Sequence, residues 1–332
     1  MTRRKCIFRR GVSFFRCEPP EVSKKERMKF IAMKTDKGAI RGKILFYCRI
    51  LKVTRQGFYY YLGSLLNPYK YENLVALMIK IIDEDECNDT YGSKRMRESL
   101  ILNQEITGSD LIIPSQRTIA RIMKQNGLIH KRKRTPNSLT KEDKEAQKSD
   151  DLLKRDFQAD EPQAKCVTDI TEVPTVDGKL YVAAVEDCFN NEVLGLSIAD
   201  NMRAGLCVDA LTAAVKAHPG VRGSIVHSDR GSQFTSVEYR AVVKKYHIMQ
   251  SMNSASGRCH DNAKCESLWG RFKEEQLYNR YKTETMRMSE VKSLIWRYFM
   301  SYWNNRRICS ANGGLPPVEK RRRYYMALDC IA

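Results

Sequence analysis

Residues 165–199, KCVTDITEVPTVDGKLYVAAVEDCFNNEVLGLSIA, decide the fold. They hold three β-rich runs, 165–173, 179–187 and 192–199, separated by Val176-Asp177-Gly178 and by Asn190-Asn191. Gly and Asn supply the backbone freedom that a tight reversal needs, so three antiparallel strands joined by hairpins are predicted. Downstream, a helical stretch over 204–217 closes at Pro219-Gly220. A strand over 223–227, a helix over 236–246, a short strand over 248–251 and a long helix from Asp261 to about Tyr278 follow. The order β-β-β-α-β-α-β-α predicts an α/β domain in which parallel strands extend an antiparallel sheet and helices cover its faces.

Upstream of that stretch the rhythm is helical. Residues 1–27 carry nine basic side chains and a Pro19-Pro20 break without amphipathic period, and read as a poorly ordered leader. Residues 28–130 contain two helical units. In the first, Thr54 is a plausible N-cap for a helix opening with Arg55, Gln56 and the tyrosines. In the second, a helix capped by Ser93 is followed after Pro114 by Ser115–Asn126, with Gly127 as its stop. That helix would bury Ile119, Ile122 and Met123 and turn Gln116, Arg117, Arg121 and Lys124 outward, the side chains that base readout and phosphate anchoring use. A solvated basic face is the competing reading. Residues 131–160 read as a linker whose patch Lys131, Arg132, Lys133 and Arg134 suits a phosphate backbone.

The chain has 332 residues with 58 Lys+Arg against 39 Asp+Glu, a net charge of +19, and 42% hydrophobic residues. The charge points to a polyanionic partner, and the apolar content suffices for about two domains. No apolar run reaches the ~18–20 residues of a bilayer span, and the basic start leads into no signal-peptide pattern. A cytoplasmic protein without a membrane partner is expected. Eleven scattered cysteines without a C-x-x-C pair suggest buried reduced thiols.

Three acids stand at telling places. Asp169 lies mid-strand between Thr168 and Thr171, Asp229 directly follows the fourth strand, and Glu266 opens the last helix of the core. An acid in a buried strand is costly unless it is paired or binds a metal. Carboxylate oxygens are the ligands of hard cations, and two such ions can act on one phosphate. Ion pairing with Arg230, Lys264 or Arg258 is the alternative. Cys259, His260 and Cys265 lack zinc-ligand spacing, and the adjacent His227-Ser228-Asp229 cannot form a relay.

The stretches VTDIT (167–171), HSDRGSQF (227–234), CHDNAKCES (259–267) and YWNNRRI (302–308) resemble the catalytic-core signatures of insertion-sequence transposases of the two-frame, retroviral-integrase-like type. The resemblance runs from about Met28 onward. It implies an RNase H-like core with a mixed five-stranded sheet over 161–282, helix-turn-helix units before it, and a C-terminal helix and basic tail over 283–332. It implies a DDE triad of Asp169, Asp229 and Glu266 that binds two Mg²⁺ ions, for which Mn²⁺ can substitute. Lys273 matches the basic residue that contacts the element's end, and Gln233 and Asn262 flank the acids.

The implied activity is metal-dependent DNA cleavage and strand transfer at the element's ends. Implied partners are double-stranded DNA of the terminal inverted repeats and target, further copies of the chain and a product of an upstream reading frame, in a nucleoid-associated setting. Arg306, Arg307 and Arg321-Arg322-Arg323 are expected to touch phosphates. Two departures stand out. The 36 residues between Asp229 and Glu266 exceed the family spacing by one, placed by expectation in 254–258, and Cys166 replaces the usual tryptophan, which should weaken core packing. A DNA-binding regulator without catalysis, or an RNase H-like nuclease that only hydrolyses, are the alternatives.

Overall fold

The computed structural model describes residues 23–66, 69–130, 150–154, 156–253, 263–278 and 280–330. The chain divides into two compact units, the second beginning at Asn73. The first holds α1 (Lys24–Lys34), α2 (Arg41–Ile50) and α3 (Arg55–Leu66). Ser23 and Glu26 form a reciprocal capping box at the start of α1, satisfying N–H groups that the first helical turn leaves without partners. The helix therefore starts inside what the sequence presents as leader, and Met28 is already buried. Ile31, Ile44, Cys48, Leu51 and Phe58 complete this small core. Thr54 Oγ1 accepts from Gly57 N at 3.0 Å, the cap read from the sequence. Arg55, Gln56, Tyr59 and Tyr60 are exposed on the first half of α3.

The second unit takes in α4 (Glu72–Asp83) from its second residue onward, α5 (Ser93–Thr107) and α6 (Gln116–Gln125), together with the whole sheet. The helical region 28–130 is thus not one body, because its later part is bonded to the chain's C-terminal region. Arg95 on α5 pairs with Glu275 at 2.8 Å, Tyr91 Oη accepts from Ile308 N, and Ser310 Oγ donates to Glu98. Ser93 does not cap α5: the N-cap is Gly92, with no side-chain bond.

The sheet runs β3-β2-β1-β4-β5, with β1 (Lys165–Thr175), β2 (Gly178–Asp187), β3 (Val193–Ala199), β4 (Ile225–Ser228) and β5 (Met249–Met252). The first three are antiparallel, while β4 and β5 add in parallel beside β1. Alternation along β2 explains why its apolar run is nearly continuous. Ala183 and Val185 face one layer and Leu180, Val182 and Ala184 the other. The first layer is α7 (Ala204–Ala217) and α8 (Val237–Lys245), and Gly195 on β3 lets α7 approach closely. A Cβ there would stand 2.2 Å from Ala210 O, so any side chain would force helix and sheet apart.

The opposite layer is α9 (Ala263–Phe272), a π-helical turn over Lys273–Leu277, α10 (Met288–Trp296) and a π-helical continuation over Arg297–Trp303. Val291, Ile295, Tyr298, Phe299, Tyr302 and Trp303 lie in the same apolar cluster as the sheet. The C-terminal region is therefore part of the core and not an appended tail, and α11 (Pro317–Asp329) ends it. Leu153 likewise packs with Val167, Cys188 and Cys265, so the linker read from the sequence joins the core before it ends. Cys166 is fully buried in the α7 layer.

Candidate active site

β1 and β4 pair in parallel with Val167 opposite His227. Two residues further along each chain stand Asp169 and Asp229, so the register brings both acids to the same level where the parallel pairing ends. The carboxyl ends of parallel strands at such a topological switch are where open α/β sheets bind ligands. Asp169 shares the strand parity of Val173, which faces the α9 layer. From α9, Trp269 Nε1 donates to Asp169 Oδ2 at 3.2 Å. Gly231 N donates to Asp229 Oδ1 at 2.9 Å.

Burial pushes the Asp169 carboxyl up to about 7, the charge of Asp229 adds to this, and Glu266 adds a smaller share. Asp229 is also raised, chiefly by burial, with the Gly231 N–H opposing. Like charges in a poorly solvated corner disfavour joint ionisation. Glu266 is exposed in the first turn of α9. Among the described residues no three of His, Cys, Asp and Glu converge closely enough to form a complete metal cage. What the fold provides is a pair of buried acids of which Asp169 feels the charge of Asp229 and, less strongly, that of Glu266 on the helix.

Of the cations weighed as partners for these acids, two have contacts outside the triad. Lys264 turns to Glu186, Cys188 O and Asn191. Arg230 Nε donates to Asn253 O, and Arg258 lies outside the described residues. Lys273 stands at the first position of the π turn, half-buried. Burial pushes its ammonium down, while the charges of Glu172 and Asp169 oppose the shift, so it lies within electrostatic reach of Asp169. Gln233 Nε2 donates to Met202 O, and Asn262 lies outside the described residues.

On α6, Gln116, Arg117, Arg121 and Lys124 are exposed, while Ile119, Ile122 and Met123 are buried. Lys131, Arg132, Lys133 and Arg134 lie outside the described residues, as does 254–258, where the extra residue is expected. Arg307 corrects the expectation of phosphate contacts. Only 3% of its side chain is exposed, and it grips Glu275 with two bonds of 2.8 and 2.7 Å. Arg306 and Arg297 share Asp85, Arg321 pairs with Glu192, and Arg322 and Arg323 pair with Glu319. Sequence reasoning missed the bond from Trp269 to Asp169, and weighed Lys264 only as a partner of the three acids and not of Glu186. Trp269 and Lys264 lie on the same short helix as Glu266, which was the available signal.

This arrangement of sheet, switch point and acid pair defines an integrase-type core. Residues 159–258 match the family described as integrase core domain, a span that contains Asp169 and Asp229 and stops short of Glu266. The putative transposase InsK of insertion sequence IS150 from Escherichia coli K12 is 32% identical over 84% of this chain and 93% of its own length. The IS3A transposase InsF from the same organism is 30% identical over 82% and 91%. The magnesium-bound integrase catalytic core of HTLV-2 is 16% identical, with a TM-score of 0.34, covering 49% of this chain and 99% of that one. The chain belongs to the insertion-sequence transposases of the IS3 type. No helix among the described residues is long and apolar enough to cross a membrane.

Proposed function

We propose that the chain cleaves and joins DNA at the ends of its element through divalent cations held by Asp169, Asp229 and Glu266. The observation that carries this reading is the Asp169–Asp229 pair. Two acids held at one level, one pushed up to about 7 by burial and by the other's charge, form a site that an added cation would relieve. Their oxygens are the donor set hard cations take, and Mg²⁺ fits it, with Mn²⁺ as substitute. Two such ions, when bound, supply Lewis acidity at the scissile phosphate and lower the pKa of an attacking water or hydroxyl.

The chain's own residues set the stage. Trp269 orients Asp169, and the Gly231 N–H orients Asp229. Lys273, within electrostatic reach of Asp169, offers a cation to a DNA phosphate next to the acids. Gln116, Arg117, Arg121 and Lys124 on α6 form one duplex-contacting face, and Arg55, Gln56, Tyr59 and Tyr60 on α3 another. Recognition of terminal repeats and capture of target DNA assign the protein to work as a homo-oligomer on DNA, with or without an upstream-frame product, at the nucleoid.

The test incubates the full chain with a duplex carrying its element's terminal repeat, with Mg²⁺ and then with EDTA. Mg²⁺-dependent nicking and joining of a 3′-OH end to a second duplex is the expected result. Nicking without joining would make it a hydrolytic nuclease. Metal-independent binding as the sole activity would make it a regulator.

A further inference from the structure

Glu266 is carried by the first turn of α9, and that turn is tied to the sheet through Lys264. Its ammonium donates to Cys188 O at 3.2 Å and to Asn191 Oδ1 at 2.9 Å, and stands 3.9 Å from Glu186 Oε1. The receiving turn is itself fixed, since Trp303 Nε1 donates to Asn191 O at 2.8 Å. Only 12% of the Lys264 side chain and 4% of Glu186 are exposed. Glu186 sits where the β2–β3 register shifts, and its Oε2 is buried without a hydrogen-bond partner among the described residues.

A buried ion pair with an unsatisfied oxygen contributes little to stability, and an apolar pair of similar size would serve the fold as well. Its geometry, however, does something that apolar contacts do less sharply. Two residues along a helix turn the side chain by about 200°, so the Lys264 anchor lies nearly opposite Glu266. Such an anchor sets rotation about the helix axis. A rotation of about 10° moves a group that is about 5–6 Å off the axis by about 1 Å.

We propose that Lys264 is a positioning residue for catalysis: held by Cys188 O, Asn191 and Glu186, it fixes the rotation of α9 and aims Glu266 at the Asp169–Asp229 pair. This rests on the reading of the three acids as cation-holding. Trp269, bonded to Asp169 on the other side of Glu266, brackets the same acid.

The test compares the wild type with Lys264→Met, Lys264→Arg and the double variant Glu186→Leu/Lys264→Met in the full-length protein. Thermal unfolding is measured with and without Mg²⁺ alone, next to gel-shift affinity and single-turnover cleavage of the terminal-repeat duplex. The double variant should fold with a metal-free Tm near the wild-type value, because both charges leave together. Its DNA affinity should be unchanged. Its cleavage should fall roughly ten- to a hundredfold, and the Mg²⁺ concentration giving half the Tm increase should rise about tenfold. Lys264→Arg should recover part of both.

If the double variant regains wild-type cleavage and Mg²⁺ response, Lys264 only neutralises Glu186 and the positioning role is overturned. Should the double variant not fold, Asn191→Gly carries the test, because it withdraws one acceptor from Lys264, together with the long Asn191 Nδ2 contacts to Cys309 and Asn312, while keeping both charges, and suits the positive φ of 62° there. A three- to tenfold loss of the same kind is then expected, and wild-type behaviour overturns the proposal. Asp169→Asn is run alongside. If it too cleaves normally, the fault lies with the cation-holding reading and not with Lys264.

Discussion

Two sets of buried carboxylates, one just past where β1 and β4 stop pairing and one in the π turn after α9, meet burial with opposite outcomes. Burial alone would push Glu275 up, yet Arg307 and Arg95 bring it down to about 2, and Tyr298 Oη donates to it as well. Every one of its contacts is a cation or a donor: Arg307 at 2.8 and 2.7 Å, Arg95 at 2.8 Å, Tyr298 at 2.9 Å. Asp169 meets burial with the charge of Asp229 added, offset only by the Ile170 N–H and one indole N–H, and ends at about 7. Where the chain supplies its own cations, a buried acid is architecture. Where it sets acids against each other, the acids are available to something brought from outside.

The largest expected effect breaks the Asp169 group. Asp169→Asn, Asp229→Asn and Glu266→Gln each keep shape and remove a charge that bound cations need. Cleavage and joining should fall roughly 10²–10³-fold or more in each, because misplaced reacting groups lose rate steeply. Metal-free Tm should hold or rise for Asp169→Asn, since a repulsion has been removed, and the Tm increase on adding Mg²⁺ should vanish. Turnover at wild-type level in any one variant would remove that residue from the site. The counterpart, Glu275→Gln, should leave the Mg²⁺ response of surviving folded protein intact and cost about 3–5 kcal/mol in denaturant unfolding, because Arg307 is left buried without its charge partner. A cost under about 1 kcal/mol would show that Arg307 finds another acceptor and that the cluster is not what joins α5 to the C-terminal region.

The three acids proposed to hold cations were legible as candidates because their signal is local. Asp169 interrupts a β-branched strand, Asp229 ends a short strand, and Glu266 opens a helix, each visible within ten residues. The sheet was legible for the same reason: alternation and Gly or Asn turns fix strand order nearly to the residue. The Glu275 cluster was not, since Arg95, Glu275, Tyr298 and Arg307 meet only after some 200 residues of chain have folded between the first and the last. Arg307 consequently read as one more surface cation in a basic tail. That the helices from Asn73 on belong to the larger unit was not legible either, because composition marks a helical region but not which body it packs against. The π turns at Lys273–Leu277 and Arg297–Trp303 have no periodicity that separates them from α-helix over so short a run.

Glu186 sharpens the comparison through pH. Burial pushes it up to about 7 from 4.5, with Lys264 opposing. A carboxyl raised in the folded state contributes most stability below about pH 4.5 and loses it as pH rises towards 7, whereas the lowered Glu275 contributes above 4.5 and loses it as pH falls towards 2. Asp169 and other raised acids slope the same way as Glu186, so the difference between wild type and Glu186→Gln isolates it. The variant should gain about 1–3 kcal/mol on the wild type between pH 4.5 and 7.5, read from denaturant midpoints. Parallel curves would mean that Glu186 stays ionised throughout beside Lys264.

The smallest effect separates a shifted acid from a stabilising one. Glu319 on α11 is brought down to about 2, like Glu275, by hydrogen bonds from Arg322 and Arg323 that outweigh its slight burial. The two acids thus share a pKa, but not a setting. Arg322 and Arg323 keep 58% and 45% of their side-chain surface in water, against 3% for Arg307. Water and salt screen the exposed pair, and two long side chains must be held still to make it, so such i,i+3 and i,i+4 contacts contribute only about 0.3–0.5 kcal/mol. Glu319→Gln should therefore lower stability by no more than about 0.5 kcal/mol, shrinking further at 0.5 M salt, while the loss in Glu275→Gln should be nearly independent of salt. A salt-insensitive loss above about 1.5 kcal/mol in Glu319→Gln would mean that α11 is buried against something in solution, and that exposure rather than charge pairing had been misjudged there.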